Sequence, residues 1–241
     1  MEESIDARPG IMKLLMDGRW DIEDLSAFAD GLEEVYGYFS AVLVEEAEIR
    51  RRTNDLVQRE FWSGDFERSR VGERVYGMMP DSAGLKIKSI RYASPGQLEL
   101  VGVLAVLLLM AKVVKAWTEA ASGLPDLYEK IQKFFSEHTN FRRPGRNFNL
   151  TSVQGKDVED AKALMFDLGQ TIGLDRVMCD RVLDMAGNPI SGLRFMTALA
   201  LQARKISTLE QRGLLTLPHS AVKEQDPGDE GSASSPEQTL G

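Results

Sequence analysis

The chain has 241 residues, 43% of them hydrophobic and only 7% aromatic, and a formal net charge of −8. That length accommodates one large domain or two small ones, with a core built on Leu, Val, Ile, Ala and Met. A body of this sign is not drawn as a whole to nucleic acid or anionic lipid. Cys179 is the only cysteine and His138 and His219 the only histidines. An internal disulfide and a multi-cysteine zinc site are thereby excluded, and histidine-rich metal chemistry is not expected. The N-terminal MEESIDARPG is acidic and has no apolar h-region, so a signal peptide is not expected and a reducing, cytoplasmic setting is.

Ile11 to Met16 reads as a strand and Asp17-Gly18 as a tight turn. Asp21 suits a helix N-cap, with Asp24 three residues on at the positive end of the dipole. Leu25, Phe28, Leu32, Val35, Phe39 and Val42 then recur at spacings of three and four, which predicts one helical face. Gly31 and Gly37 on that helix would admit a close neighbour. The charged run EEAEIRRRTNDLVQRE follows, with Ile49 and Leu56 near the same register. Read as one helix to Glu60, it overhangs any small sheet, and Ile49 and Leu56 become a partner or oligomer surface. A solvated extension is the plainer reading, and a break near Glu45 with the charged part folding back or fraying is the alternative.

Residues from Phe61 to Pro80 read as irregular. Leu85 to Tyr92 predicts a second strand whose alternation changes phase near Ser89, which calls for a bulge or for cover on both faces. Ser94, Pro95 and Gln97 have the form of a capping box, so the apolar run to Trp117 is expected to be helical. Leu100 to Ala111 is twelve residues without a charge, roughly 18 Å of helix against roughly 30 Å of hydrocarbon. The reading adopted is a buried central helix; a membrane-inserted helix over 98–117 is an alternative that Lys112 and Lys115 disfavour, and a partner-binding surface is a further one. A third strand is expected from residues 61–79 or 148–153, because two strands do not stand alone.

PDLYEKIQKFFSE predicts the next helix. Beyond the basic stretch FRRPGRNF, three amphipathic helices follow, stopped by Gly173, Gly187 and Gly213, with Asn188-Pro189 opening the last. After Pro218 the chain is polar and rich in Pro, Gly and Ser, and disorder is expected. Five acids there against Lys223 give −4, half the total charge. The expected fold is α+β: a small mixed sheet covered by long helices over 10–137, a basic linker over 138–156, a three-helix bundle over 157–217 and an acidic tail over 218–241.

The segments GRWDIEDL, EEVYGYFSAVL and IRYASP, with the apolar helix after them, resemble the N-terminal domain of the TRADD adaptor and effector-associated modules of bacterial conflict systems. The resemblance covers roughly Ile11 to Phe135. It implies an adaptor that works by protein–protein contact rather than chemistry.

No GxGxxG or GxxxxGK[ST] occurs, and neither histidine is near Cys179 in sequence, so no catalytic residue, cofactor or metal site is expected. Carboxylate pairs such as Glu33/Glu34 and Asp157/Asp160 are more simply helix caps and solvated faces. Arg142, Arg143 and Arg146, interleaved with Phe141 and Phe148, could hold phosphate or single-stranded nucleic acid. Intramolecular ion pairing is the plainer role for them in an acidic chain. The function expected is a cytoplasmic, non-enzymatic interaction protein that binds another protein or itself. Nucleic-acid binding is the less favoured alternative, and peripheral membrane binding is a further one.

Overall fold

In the computed structural model, residues 8–63, 70–91, 93, 95–119, 124–138, 155–217 and 222–223 are described. Strand β1 (Pro9–Met16) leads through the Asp17-Gly18 turn into α1 (Ile22–Leu43). Gly18 has φ +72° there, and Asp17 Oδ1 accepts its N–H at 2.7 Å. Asp21 caps α1 by accepting from the Asp24 N–H at 2.7 Å. Asp24 in turn accepts from both terminal guanidinium nitrogens of Arg212, Nη2 to Oδ2 at 3.0 Å, which ties the start of α1 to a residue 188 positions on.

The charged run does not prolong α1. The helix stops at Val44 in extended backbone, and a separate α2 (Ala47–Ser63) begins three residues later. The single helix to Glu60 is therefore wrong, and the alternative of a break near Glu45 is what the structure has. The cause is tertiary: Leu56, Val57 and Phe61 sit in the core, where a straight continuation would have carried them into solvent.

Helix α3 (Val71–Tyr76) crosses α1 backbone to backbone. A Cβ on Gly37 would meet the Gly72 carbonyl oxygen at 1.9 Å, so only glycine permits this approach. The crossing is sealed by the Gly72 N–H donating to the buried Glu34 Oε2 at 3.1 Å.

Strands β2 (Lys86–Arg91) and β3 (Gly96–Val103) form a hairpin, and helix α4 (Leu104–Glu119) follows β3 without a gap. The helix expected to start at Ser94 and Pro95 is thus a strand in its first half. Ser94 itself lies outside the described residues. Pro95-Gly96 is the hairpin's exit, and Leu98, Leu100 and Gly102 alternate inward against half-buried Gln97, Glu99, Val101 and Val103. The third strand therefore lies inside the apolar run, and none lies among the described residues of 61–79; residues 64–69 and 148–153 lie outside the description.

The sheet order is β2-β3-β1-β4, with β4 (Leu215–Thr216) and β5 (Val222–Lys223) both pairing β1. All pairs are antiparallel, so the sheet is not mixed as expected. Apart from Val222–Lys223, residues 218–241 lie outside the description, as do 139–154 of the basic linker.

Helices α5 (Leu124–Glu137), α6 (Gly155–Thr171), α7 (Arg176–Ala186) and α8 (Pro189–Gln211) complete the chain. Asp175 and Asn188 cap α7 and α8, and Gly187 closes α7 at φ +74°. The apolar interior is one continuous cluster, in which α4 and α8 residues join those of α1 and the sheet. It is not divided at the linker. Arg194 on α8 is wholly buried and donates to the carbonyls of Phe61 (2.6 Å) and Trp62 (3.0 Å), closing the end of α2. Burial pulls its pKa down to about 10. On α4, Leu107 and Met110 are buried, in keeping with a core helix. Among the described residues no helix is long and apolar enough to cross a membrane.

Candidate functional site: an apolar cleft between the first helix and the edge hairpin

The phase change near Ser89 is a bulge. Ile87 pairs Leu100 and Ile90 pairs Leu98, with the register shifting between Ile87 and Ser89. Paired residues share a face. The extra residue therefore turns both isoleucines to the side of Leu98 and Leu100, the side that α1 covers. Yet Ile87 is 60% exposed and Ile90 46%, while Leu98 and Leu100 are buried. The helix covers β3 and β1 and leaves β2 open.

The open space is a cleft of about 810 Å³. Leu25, Phe28 and Leu32 of α1 form one wall, and Leu98, Ile87 and Ile90 the opposite one. Leu25 is 49% exposed, and Ile22, one turn earlier on α1, stands 83% exposed. Leu25, Ile87 and Ile90 thus line one cleft together, with Ile22 outside its lining, although scattered single exposed apolar side chains are the norm elsewhere on a surface.

Both ends of the cleft are held firmly. At one end the Tyr36 hydroxyl donates to the Ala83 carbonyl (2.6 Å) and accepts from the Val103 N–H (2.8 Å). The Tyr76 hydroxyl donates to the Leu85 carbonyl at 2.9 Å, and its ring meets that of Tyr36 edge-on. These two tyrosines fix where β2 begins. Burial raises the pKa of Tyr36 to about 12, so both of its hydrogen bonds persist at neutral pH. At the other end Trp20 packs edge-on to Phe28, ring centroids 5.4 Å apart, and its indole N–H is buried with no acceptor among the described residues.

Polar groups on the lining are few: Glu33, Tyr76, Lys86 and Arg91. The Glu33 carboxyl is raised above its ordinary pKa by burial and then by Glu73. A largely apolar concavity with a few polar groups at its rim is the form that binding sites take. Among the described residues that line it there is no Ser, Thr, Cys or His. Cys179 is buried elsewhere, and burial raises its pKa to about 11, so it remains a thiol. Among the described residues no group of three His, Cys, Asp or Glu could hold a metal.

The residues singled out from the sequence are not at this cleft. Arg142, Arg143 and Arg146 lie outside the described residues. Leu56 is 3% exposed and belongs to the core, so it offers nothing to a partner. Ile49 is half-buried and lines a separate pocket of about 240 Å³ with Leu43, Met79 and Val106. The residues that sequence reasoning missed as a site are Leu25, Ile87 and Ile90. Their signal was the phase change at Ser89, which marks a strand with both isoleucines on one face.

Searches of protein-family models, curated proteins and solved structures return no match to this chain. The cleft has to be read from its own chemistry.

Proposed function

We propose that this chain is a non-enzymatic protein–protein interaction module, and that the cleft between α1 and β2–β3 receives an apolar segment of another protein. One observation carries the reading: Ile87 and Ile90 occupy the core-facing side of the sheet and remain uncovered. Burying two such side chains from their present exposure contributes on the order of 1–2 kcal/mol, before the cleft's other walls are counted. Leaving them open favours a second chain as their cover. The resemblance of residues 11–135 to adaptor domains of bacterial conflict systems supports the same reading and suggests a regulatory role in defence or signalling. The lone cysteine suits a cytoplasmic location. In this reading the C-terminal helices act as a bundle that buttresses α1 and leaves the cleft free.

The test is site-specific photo-crosslinking in the native host. A benzophenone amino acid replaces Ile87 in one strain and Val177, an exposed apolar residue on α7, in another. The expected result is a discrete protein adduct at position 87 that is missing at 177. Identical adduct patterns at the two positions, or none at either, would reject the cleft as a protein-binding site.

A further inference from the structure

We propose that the chain carries a second binding site, between α5 and α8, for a small zwitterion with an apolar body, of the class of a dipeptide with free termini. The site shares no lining residue with the cleft and does not depend on it.

The spacing of the lining residues shows how the site is built. Helix α8 contributes Thr197, Leu201, Arg204, Thr208 and Gln211, at alternating spacings of four and three, so they share one face. Helix α5 contributes Leu124, Tyr128 and Gln132 at spacings of four, with Glu129 beside them. Helix faces of this kind ordinarily pack ridge into groove. Here the two faces instead line a cavity of about 680 Å³. That lies within the roughly 300–1,000 Å³ of small-molecule sites. Its apolar part consists of Leu124, Leu168 and Ala200, all buried, and half-buried Trp117 and Leu201.

The polar lining selects the ligand. The Thr197 hydroxyl donates to the Leu193 carbonyl at 2.7 Å and the Thr208 hydroxyl to the Arg204 carbonyl at 2.9 Å, so both are taken up by their own helix. The side chains of Glu129, Gln132, Arg204 and Gln211 bond to none of the described residues. One acid and one base thus line the same cavity from two helices, both exposed, and no ion pair joins them. A ligand of one charge would satisfy one of them and meet the other with like sign. A zwitterion answers both: its carboxylate takes the Arg204 guanidinium in paired N–H···O bonds, and its ammonium donates to Glu129.

The separation of those charges favours a dipeptide over a single amino acid. An amino acid carries both charges on one carbon, whereas the termini of an extended dipeptide stand about 7 Å apart. The Gln132 and Gln211 carboxamides each offer a donor and an acceptor to the peptide unit between them. Apolar side chains of the ligand would cover Trp117, Leu124 and Leu201.

The experiment screens a library of dipeptides with free termini for thermal shift of the full-length protein, followed by calorimetric titration of those that bind. Dipeptides with two apolar side chains are expected to raise the Tm. N-acetylation and C-amidation should each weaken binding about tenfold or more. Glu129→Gln should remove the effect of N-acetylation and Arg204→Gln that of C-amidation; both positions are exposed, and circular dichroism checks that each variant is folded. Ile87→Asp/Ile90→Asp should bind the dipeptide as the parent does. The proposal would be overturned by a library in which no dipeptide binds, by equal affinity for free and blocked termini, or by losses that do not follow the two variants. Loss of binding in the Ile87→Asp/Ile90→Asp protein would place the dipeptide in the cleft and overturn it as well.

Discussion

Replacing Gly37 by alanine probes the crossing that holds α1 over the sheet. The added Cβ would stand 1.9 Å from the Gly72 carbonyl oxygen, where ordinary contact begins near 3.4 Å, so the helices must part by about 1.5 Å. Because the clash is with backbone, no side-chain rotation relieves it. Overpacking of this kind costs about 1–3 kcal/mol. Parting the helices also stretches the Gly72 N–H to Glu34 Oε2 bond from 3.1 Å to beyond reach. Orphaning those buried groups adds about 1–3 kcal/mol. Alanine's better helix propensity returns about 1 kcal/mol. The net expectation is a loss of about 1–5 kcal/mol, or a Tm lower by roughly 2–20 °C for a chain of this size. Urea titration and thermal melting followed by circular dichroism measure it. Gly31→Ala is the control, because its nearest neighbour is the flexible Ile206 side chain at 3.2 Å, and it should change stability by less than about 1 kcal/mol. A Gly37→Ala protein as stable as the parent would refute the α1–α3 crossing and the placement of the cleft wall that depends on it.

Two further substitutions test the core. Leu107→Asp should abolish the cooperative urea transition, since an unpaired charge in the interior costs several kcal/mol, whereas Leu108→Asp on the 41% exposed face of the same helix should keep it. Glu34 should give a pH signature: burial raises its carboxyl above the ordinary value of 4.5 in the folded chain. The folded state then holds the proton to higher pH than the unfolded state. Its contribution is therefore most favourable below about 4.5 and is lost as pH rises through the folded value. Urea stabilities of the parent and Glu34→Gln across that range should differ with this slope, and a pH-independent difference would count against a buried Glu34.

Much of the helical architecture was legible because local chemistry specified it. Asp21, Asn188-Pro189, Gly173 and Gly187 are caps and stops whose residue types act on their own backbone, and they act here as read. The strand β3 was hidden by two signals in conflict. Ser94, Pro95 and Gln97 have the form of a helix start, while Pro95-Gly96 is equally a turn and QLELV alternates with period two. The second pair won because β1 needs a partner along Pro9–Met16. The break between α1 and α2 has only the change of composition beyond Val44 as its local mark: Val44, Glu45 and Glu46 include neither glycine nor proline. It follows from where Leu56, Val57 and Phe61 find burial, which only the tertiary structure decides. The cleft was half legible. The phase change at Ser89 announced the bulge, but nothing in the sequence says that α1 stops short of covering β2.

The most direct measurement of the central claim is calorimetric titration of the protein captured at position 87 against Ile87→Asp/Ile90→Asp, beside the urea midpoint of that variant. Because both side chains are largely exposed, the expected midpoint shift corresponds to no more than about 1–2 kcal/mol, while affinity falls by a factor of 100 or more. Unchanged affinity in a folded variant would contradict the claim that the two isoleucines are the floor of a binding cleft.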